Sequence, residues 1–192
     1  MLVRLAALFC LLPGWAVAVD DRRWIEKGWS AAALVGPWSN NDTSEIFFEG
    51  EWRTDSGLAL ATVNKELFGL FDPIVMEAEV HAGRHFGGQS QWDTGAVLLA
   101  RIVDFPWNDS VHTTFAGGYG FSYSTGTPTD TDVQDGSKLL SAVVFELTAG
   151  PPDSNWSGVL RYQHRSSSFG LFGDGQQDEG TGFLLGLRYR FP

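Results

Sequence analysis

The stretch Arg161-Tyr162-Gln163-His164-Arg165-Ser166 holds residue types that can carry out nucleophilic catalysis. A serine hydroxyl is a weak nucleophile until a neighbouring base takes its proton, and a Ser beside a His is the minimum unit that does this. In an extended strand alternate side chains share a face, so His164 and Ser166 project together with Leu160 and Tyr162. Arg161 and Arg165 project to the other side. A third group that orients the imidazole completes the arrangement. Counting back from Phe191 through Tyr189, Leu187, Leu185, Phe183 and Thr181, the same phase reaches Glu179, whereas Asp178 has the opposite phase. The alternative is that His164 and Ser166 sit solvated at the rim of a non-catalytic scaffold, with Glu179 in a loop.

The elements that position these residues begin with an export signal. Met1 to Ala18 reads as a signal peptide: Arg4 is the positive n-region, Leu5 to Leu12 the apolar core, and Ala16-Val17-Ala18 the small-x-small cleavage site. The apolar run is shorter than the roughly 20 residues a membrane-spanning helix needs. Residues 19–192 are then a single domain. Cys10 is the only cysteine and falls within the signal, so no disulfide or cysteine metal site is expected after cleavage.

Composition narrows the class of the remainder. The 192 residues include 23 Gly, 14% aromatic and only 19% charged residues, with 13 Lys plus Arg against 23 Asp plus Glu. A net charge of −10 without a basic stripe argues against nucleic acid as a partner. The apolar and aromatic content argues against disorder. Period-2 alternation over ten or more residues recurs instead, as in Ile74 to Phe86, His112 to Tyr123 and Phe183 to Phe191. Strands are expected over 28–37, 57–67, 73–86, 93–105, 112–124, 138–149, 155–167 and 181–191. The strand-like run 43–54 is assigned to an amphipathic connection at the membrane surface. Residues 125–136 are assigned to a solvent loop.

Eight strands of this length match the smallest even-numbered outer-membrane barrel. The fold class expected is all-β, an eight-stranded antiparallel transmembrane β-barrel preceded by a signal peptide. Glu77, Glu79 and Glu146 share the inward phase with Arg101, Arg161, Arg165, Arg188 and Arg190, so the narrow interior is expected to be filled by paired charges. A soluble lipocalin-like barrel has the reverse arrangement, with its apolar face inside. His81 and His85, four apart, share the interior face on a strand and are assigned to the Glu/Arg network rather than to a metal. No metal or other cofactor is expected.

His-x-Ser near the C-terminus, followed about a dozen residues later by an acidic residue opening the last strand, resembles the lipid A 3-O-deacylases of the PagL type. The resemblance covers length, signal and barrel pattern loosely, and by motif only the last thirty or so residues. It implies an eight-stranded barrel in the outer membrane of a Gram-negative bacterium that hydrolyses the 3-O-linked acyl ester of lipid A. Lipopolysaccharide would be the substrate, and a homodimer is a possible assembly. Carried over, Ser166 is the nucleophile, His164 the general base and Glu179 the orienting acid, with backbone N–H groups around Ser167 to Gly170 facing the oxyanion. The chain departs from the family pattern at Ser167, where Asn is common, and in a Ser166–Glu179 spacing one residue longer than usual, which Asp178 would fit. It also ends in Phe191-Pro192 rather than in a terminal aromatic. The readings from other classes are a non-catalytic outer-membrane barrel, an acyltransferase using the same Ser and His, and a soluble exported lipid-binding barrel.

Overall fold

The computed structural model describes residues 28–39, 54, 56–126, 138–166 and 180–192. Eight antiparallel strands close into one barrel in sequential order. They are β1 (Trp29–Ser39), β2 (Ser56–Phe71), β3 (Ile74–Gly87), β4 (Trp92–Ile102), β5 (His112–Ser124), β6 (Leu139–Gly150), β7 (Trp156–Ser166) and β8 (Gly180–Arg190). The strand count and the fold class agree with the sequence. The signal peptide, nearly all of 43–54 and most of the 125–136 loop lie outside the described residues.

Two strand ends differ from expectation by three residues or more. β2 runs on to Phe71 rather than stopping near residue 67, because bulges between Glu66 and Phe68 and between Gly69 and Phe71 let it stay paired with β3. β4 ends at Ile102 instead of 105, and residues 106–110 form turns. There the Asn108 side chain accepts from the Thr113 amide and donates to the Val103 carbonyl, closing the β4–β5 connection.

The register fixes the barrel's shape. Stepping straight across the sheet from Trp29, the partners are Lys65, Ala78, Leu98, Tyr119, Val143, His164 and Thr181, and the next step lands on Ser39. One circuit therefore climbs 10 residues along β1, from 29 to 39. That stagger over eight strands spaced about 4.7 Å apart gives a tilt near 40° and a radius of about 8 Å. So narrow a cylinder has room inside for side chains and nothing else.

Its two faces are chemically opposite. Outside stand Val35, Val63, Val80, Leu98, Tyr119, Phe121, Phe145, Leu160, Leu185 and Leu187, all exposed. Inside, Glu77, Glu79, Glu146, Arg101, Arg161 and Arg188 are buried. The Glu146 carboxylate faces Arg101 at 2.8 Å, Arg188 at 3.0 Å and Arg161 at 3.4 Å. Arg101 continues to Glu77 at 2.7 Å, and Arg161 to Glu79 at 2.6 Å. Three carboxylates thus balance three guanidiniums in one connected network. His81 joins it beside Glu79 at 3.4 Å, and His85 lies 3.7 Å from Asp93, which also pairs with Arg165 at 3.4 Å. Both histidines are interior, as their phase implied.

A soluble protein does not present this pattern, because the apolar surface left in water is too large. In a bilayer the same surface is solvated by hydrocarbon. Aromatic residues mark its limits. Trp29, Trp156 and Tyr189 gather near the termini, with Trp156 and Tyr189 rings 4.8 Å apart and Lys65 above Trp29 at 5.1 Å. Trp92 and Tyr123 stand at the opposite end, with Arg84 over Trp92 at 5.4 Å. With the tilt above, the two girdles are separated by about 24 Å, close to the apolar band of outer-membrane barrels.

Trp38 plugs the interior at the end away from the termini. It is buried, and its ring meets His85 edge-on at 5.0 Å. Gly180 and Gly182 of β8 lack side chains where the indole passes: a Cβ there would lie 2.7 and 2.5 Å from Trp38 atoms.

Two outcomes are expected of these packings. Glu146→Ala strips one carboxylate from three arginines and should lower unfolding stability by about 3–5 kcal/mol, read from the urea midpoint of the barrel's heat-modifiable gel band. Gly182→Val should cost about 1–3 kcal/mol by overpacking against Trp38, and Trp38→Ala in the same chain should recover part of that loss; strictly additive losses would contradict the contact.

Candidate functional site

β7 is anchored from within. Arg161, Gln163 and Arg165 are buried in the lumen, where Arg161 pairs with Glu79 and Glu146 and its Nε–H donates to Gln163 Oε1 at 3.0 Å. Alternation then forces Tyr162, His164 and Ser166 to the outer face, where they are half-buried. The structure places His164 and Ser166 as their phase implied, on the lipid-facing side. Glu179 and Asp178 lie outside the described residues, as do Ser167 to Gly170.

Each member of the pair meets a hydroxyl on a neighbouring strand. Ser166 stands opposite Ser141 of β6, and His164 opposite Thr181 of β8. The Ser141 hydroxyl donates to the Ser166 carbonyl at 2.9 Å, and the two hydroxyl oxygens are 3.2 Å apart. His164 Nδ1 lies 3.0 Å from Thr181 Oγ1. Ser141 and Thr181 are themselves almost inaccessible, at 1% and 0%, although their strand positions face outward. The result is a compact patch of three hydroxyls and one imidazole on an otherwise apolar wall.

Sequence reasoning missed Ser141 and Thr181. The available signal was that both share the outward phase with the exposed residues of their strands. Which residue faces which across a ladder depends on register, which a period of two does not encode.

The surroundings of the patch are apolar and aromatic. Toward the termini, a row of rings crosses β5 to β8: Phe115 to Phe145 at 6.2 Å, Phe145 to Tyr162 at 6.1 Å and Tyr162 to Phe183 at 5.3 Å. Below this row is a shallow hollow lined by Leu147, Ala149, Gly158, Leu160, Leu185 and Gly186. On the lumen side, Trp38 packs against Gly180 and Gly182, directly behind Thr181. No cluster of three or more metal-ligating side chains occurs among the described residues.

Depth follows from the stagger. His164 lies about 18 Å and Ser166 about 23 Å above the Trp29 girdle, which brings the patch up to the level of Trp92 and Tyr123. The connections at that end, after β1, β5 and β7, are the long ones, whereas Asp72 and Pro73 alone join β2 to β3 at the other. In outer-membrane barrels the longer loops face outward from the cell. In that orientation the patch would lie at the boundary between hydrocarbon and head groups of the outer leaflet.

No family model matches the chain, and no curated protein matches it by sequence. Solved structures do match in shape. The crystal structure of the outer membrane enzyme PagL superposes with a TM-score of 0.64 at 12% identity, over 84% of this chain and 99% of that one. The backbone structure of the Yersinia pestis outer membrane protein Ail, in a phospholipid bilayer nanodisc, is matched at a TM-score of 0.43 and 12% identity, over 86% of this chain and all of that one. At such identity the likeness to PagL is one of fold: this chain has the eight-stranded barrel of an outer-membrane protein.

Proposed function

We propose that the chain is an outer-membrane lipid A deacylase that hydrolyses the 3-O-linked acyl ester. The observation that carries this reading is the position of His164 and Ser166, two residues apart on the outward face of β7 at the level of the Trp92 and Tyr123 girdle, where outer-leaflet lipids would carry their ester bonds. Pairing an imidazole with a serine makes the pair able to attack an ester. The signal peptide over residues 1–18 would export the chain through the periplasm to the outer membrane of a Gram-negative bacterium.

In the proposed reaction the Ser166 oxygen attacks the acyl carbonyl while His164 removes its proton. Glu179, the residue before β8, would be the acid that the family resemblance implies, its negative charge favouring the imidazolium. The ester C–O bond breaks, the proton passes from His164 to the departing 3-hydroxyl of the sugar, and the acyl group stays on Ser166. Water then attacks the acyl carbon and gives a proton to His164, which passes it to Ser166 Oγ as the acyl–Ser166 bond breaks and the fatty acid leaves. Backbone N–H groups between Ser167 and Gly170 would face the oxyanion, each such donor contributing about 3 kcal/mol. The acyl chain would run down β7 past Tyr162 and Phe183 to the hollow at Gly158 and Gly186. That path spans eight residues of β7, about 26 Å.

Mass spectra of lipid A from a Gram-negative host expressing the chain should show loss of one 3-hydroxyacyl group. Ser166→Ala and His164→Ala should each abolish that loss while the heat-modifiable barrel remains in the membrane. Between Glu179→Ala and Asp178→Ala, the former should be the damaging change. Unaltered lipid A beside a correctly folded native barrel would leave the chain a non-catalytic outer-membrane barrel.

A further inference from the structure

We propose that Ser141 and Thr181 are positioning residues for the Ser166–His164 pair: hydroxyls on the two strands flanking β7 that hold the nucleophile and the base in their reactive rotamers. The proposal rests on the hydrolase reading above and adds to it two groups from outside the His-x-Ser motif.

Ser141 is tied to the backbone of the nucleophile's own residue. Its hydroxyl donates to the Ser166 carbonyl at 2.9 Å, so its oxygen is fixed relative to β7. From there it stands 3.2 Å from Ser166 Oγ. A serine side chain free to sample three rotamers spends only part of its time aimed at a base two residues away. Because the Ser141 proton goes to that carbonyl, Ser166 Oγ–H donates to the Ser141 oxygen at rest; the contact fixes the position of Ser166 Oγ, and its proton turns to His164 when the base takes it. A misplacement of the reacting oxygen by as little as 1 Å costs on the order of 100-fold in rate.

Thr181 acts on the imidazole. His164 Nδ1 lies 3.0 Å from its hydroxyl oxygen. With the ring proton on Nδ1, that proton points to Thr181 and the lone pair is left on Nε2, where a base for Ser166 must carry it. When the ring becomes imidazolium during attack, the same Nδ1–H bond strengthens, because a charged donor makes the better hydrogen bond. Trp38 behind Gly180 and Gly182 fixes the strand segment that carries Thr181.

The two contacts sit where chance does not readily put them. The outward positions nearer the termini are apolar: Val143 lies opposite His164, and Phe145, Tyr162 and Phe183 form the next row. Polar side chains on this face thus cluster around the pair. Cross-strand hydroxyl contacts also stabilise sheets without any catalytic part, so the test must read catalysis apart from folding.

The experiment measures steady-state hydrolysis of purified hexa-acylated lipid A by the full refolded barrel in mixed micelles, with heat-modifiability as the check on folding. Ser141→Ala should lower kcat about 100-fold with little change in KM. Ser141→Thr should restore most of it, and Ser141→Cys, with its weak S–H donor, should resemble the alanine variant. Thr181→Val should lower kcat and move the acidic limb of its pH profile to lower pH, because the imidazolium loses an acceptor; Thr181→Ser should keep the native profile. Folded Ser141→Ala and Thr181→Val barrels with kcat within twofold of native, or an acidic limb that stays put or moves upward, would overturn the proposal. Ser166→Ala and His164→Ala separate the two levels. If they retain activity, the hydrolase reading falls and the positioning proposal with it. If they are inactive while Ser141→Ala and Thr181→Val are not, only the positioning proposal falls.

Discussion

The charge network inside the barrel is the constraint from which the rest follows. A cylinder about 8 Å in radius cannot hold water enough to solvate its buried charges, so carboxylate and guanidinium must meet directly. Glu146 lies between Arg101, Arg161 and Arg188, and these lead on to Glu77 and Glu79. The contacts come from β3, β4, β6, β7 and β8, so they tie the phase of one strand to that of the others. A slip of one residue in β7 would turn Arg161 and Arg165 into lipid and bring Tyr162 and His164 inside. The lipid-facing pair is thus held outward by arginines that never touch it.

The stagger supplies the second coordinate. Phase alone says that His164 and Ser166 face lipid; the climb from Trp29 to Ser39 in one circuit says how high. At mid-membrane a serine and a histidine would be a burden with no polar substrate in reach. The level of Trp92 and Tyr123 is where the proposed reaction would need them. The hydroxyls of Ser141 and Thr181 bond the pair laterally, which offsets part of the cost of holding it against an apolar wall.

Much of this was legible in the sequence, and the division is physical. Alternation identifies faces, so the inward set Glu77, Glu79, Glu146, Arg101, Arg161 and Arg188 and the outward His164 and Ser166 could be read directly. Strand ends were less legible: β2 continues to Phe71 through two bulges, which break the very period used to find strands. Trp38 was placed just beyond the end of β1, yet it is the ring that fills the lumen behind β8, because the cue was spread over Gly180 and Gly182, far along the chain. Ser141 and Thr181 were invisible for a related reason. A period of two records which side a residue faces and carries no information about its neighbour across the ladder. The acid proposed at Glu179, against Asp178, rests on strand phase and the family resemblance, and both residues lie outside the described ones.

The central claim is that the phase of β7 presents an activated serine to the lipid. The most direct measurement is reaction of the folded barrel, in lipid nanodiscs, with a lipophilic fluorophosphonate, followed by peptide mass mapping. The expected result is phosphonylation at Ser166 that disappears in His164→Ala. A folded native barrel that stays unmodified at Ser166, or one labelled there equally with and without His164, would contradict it.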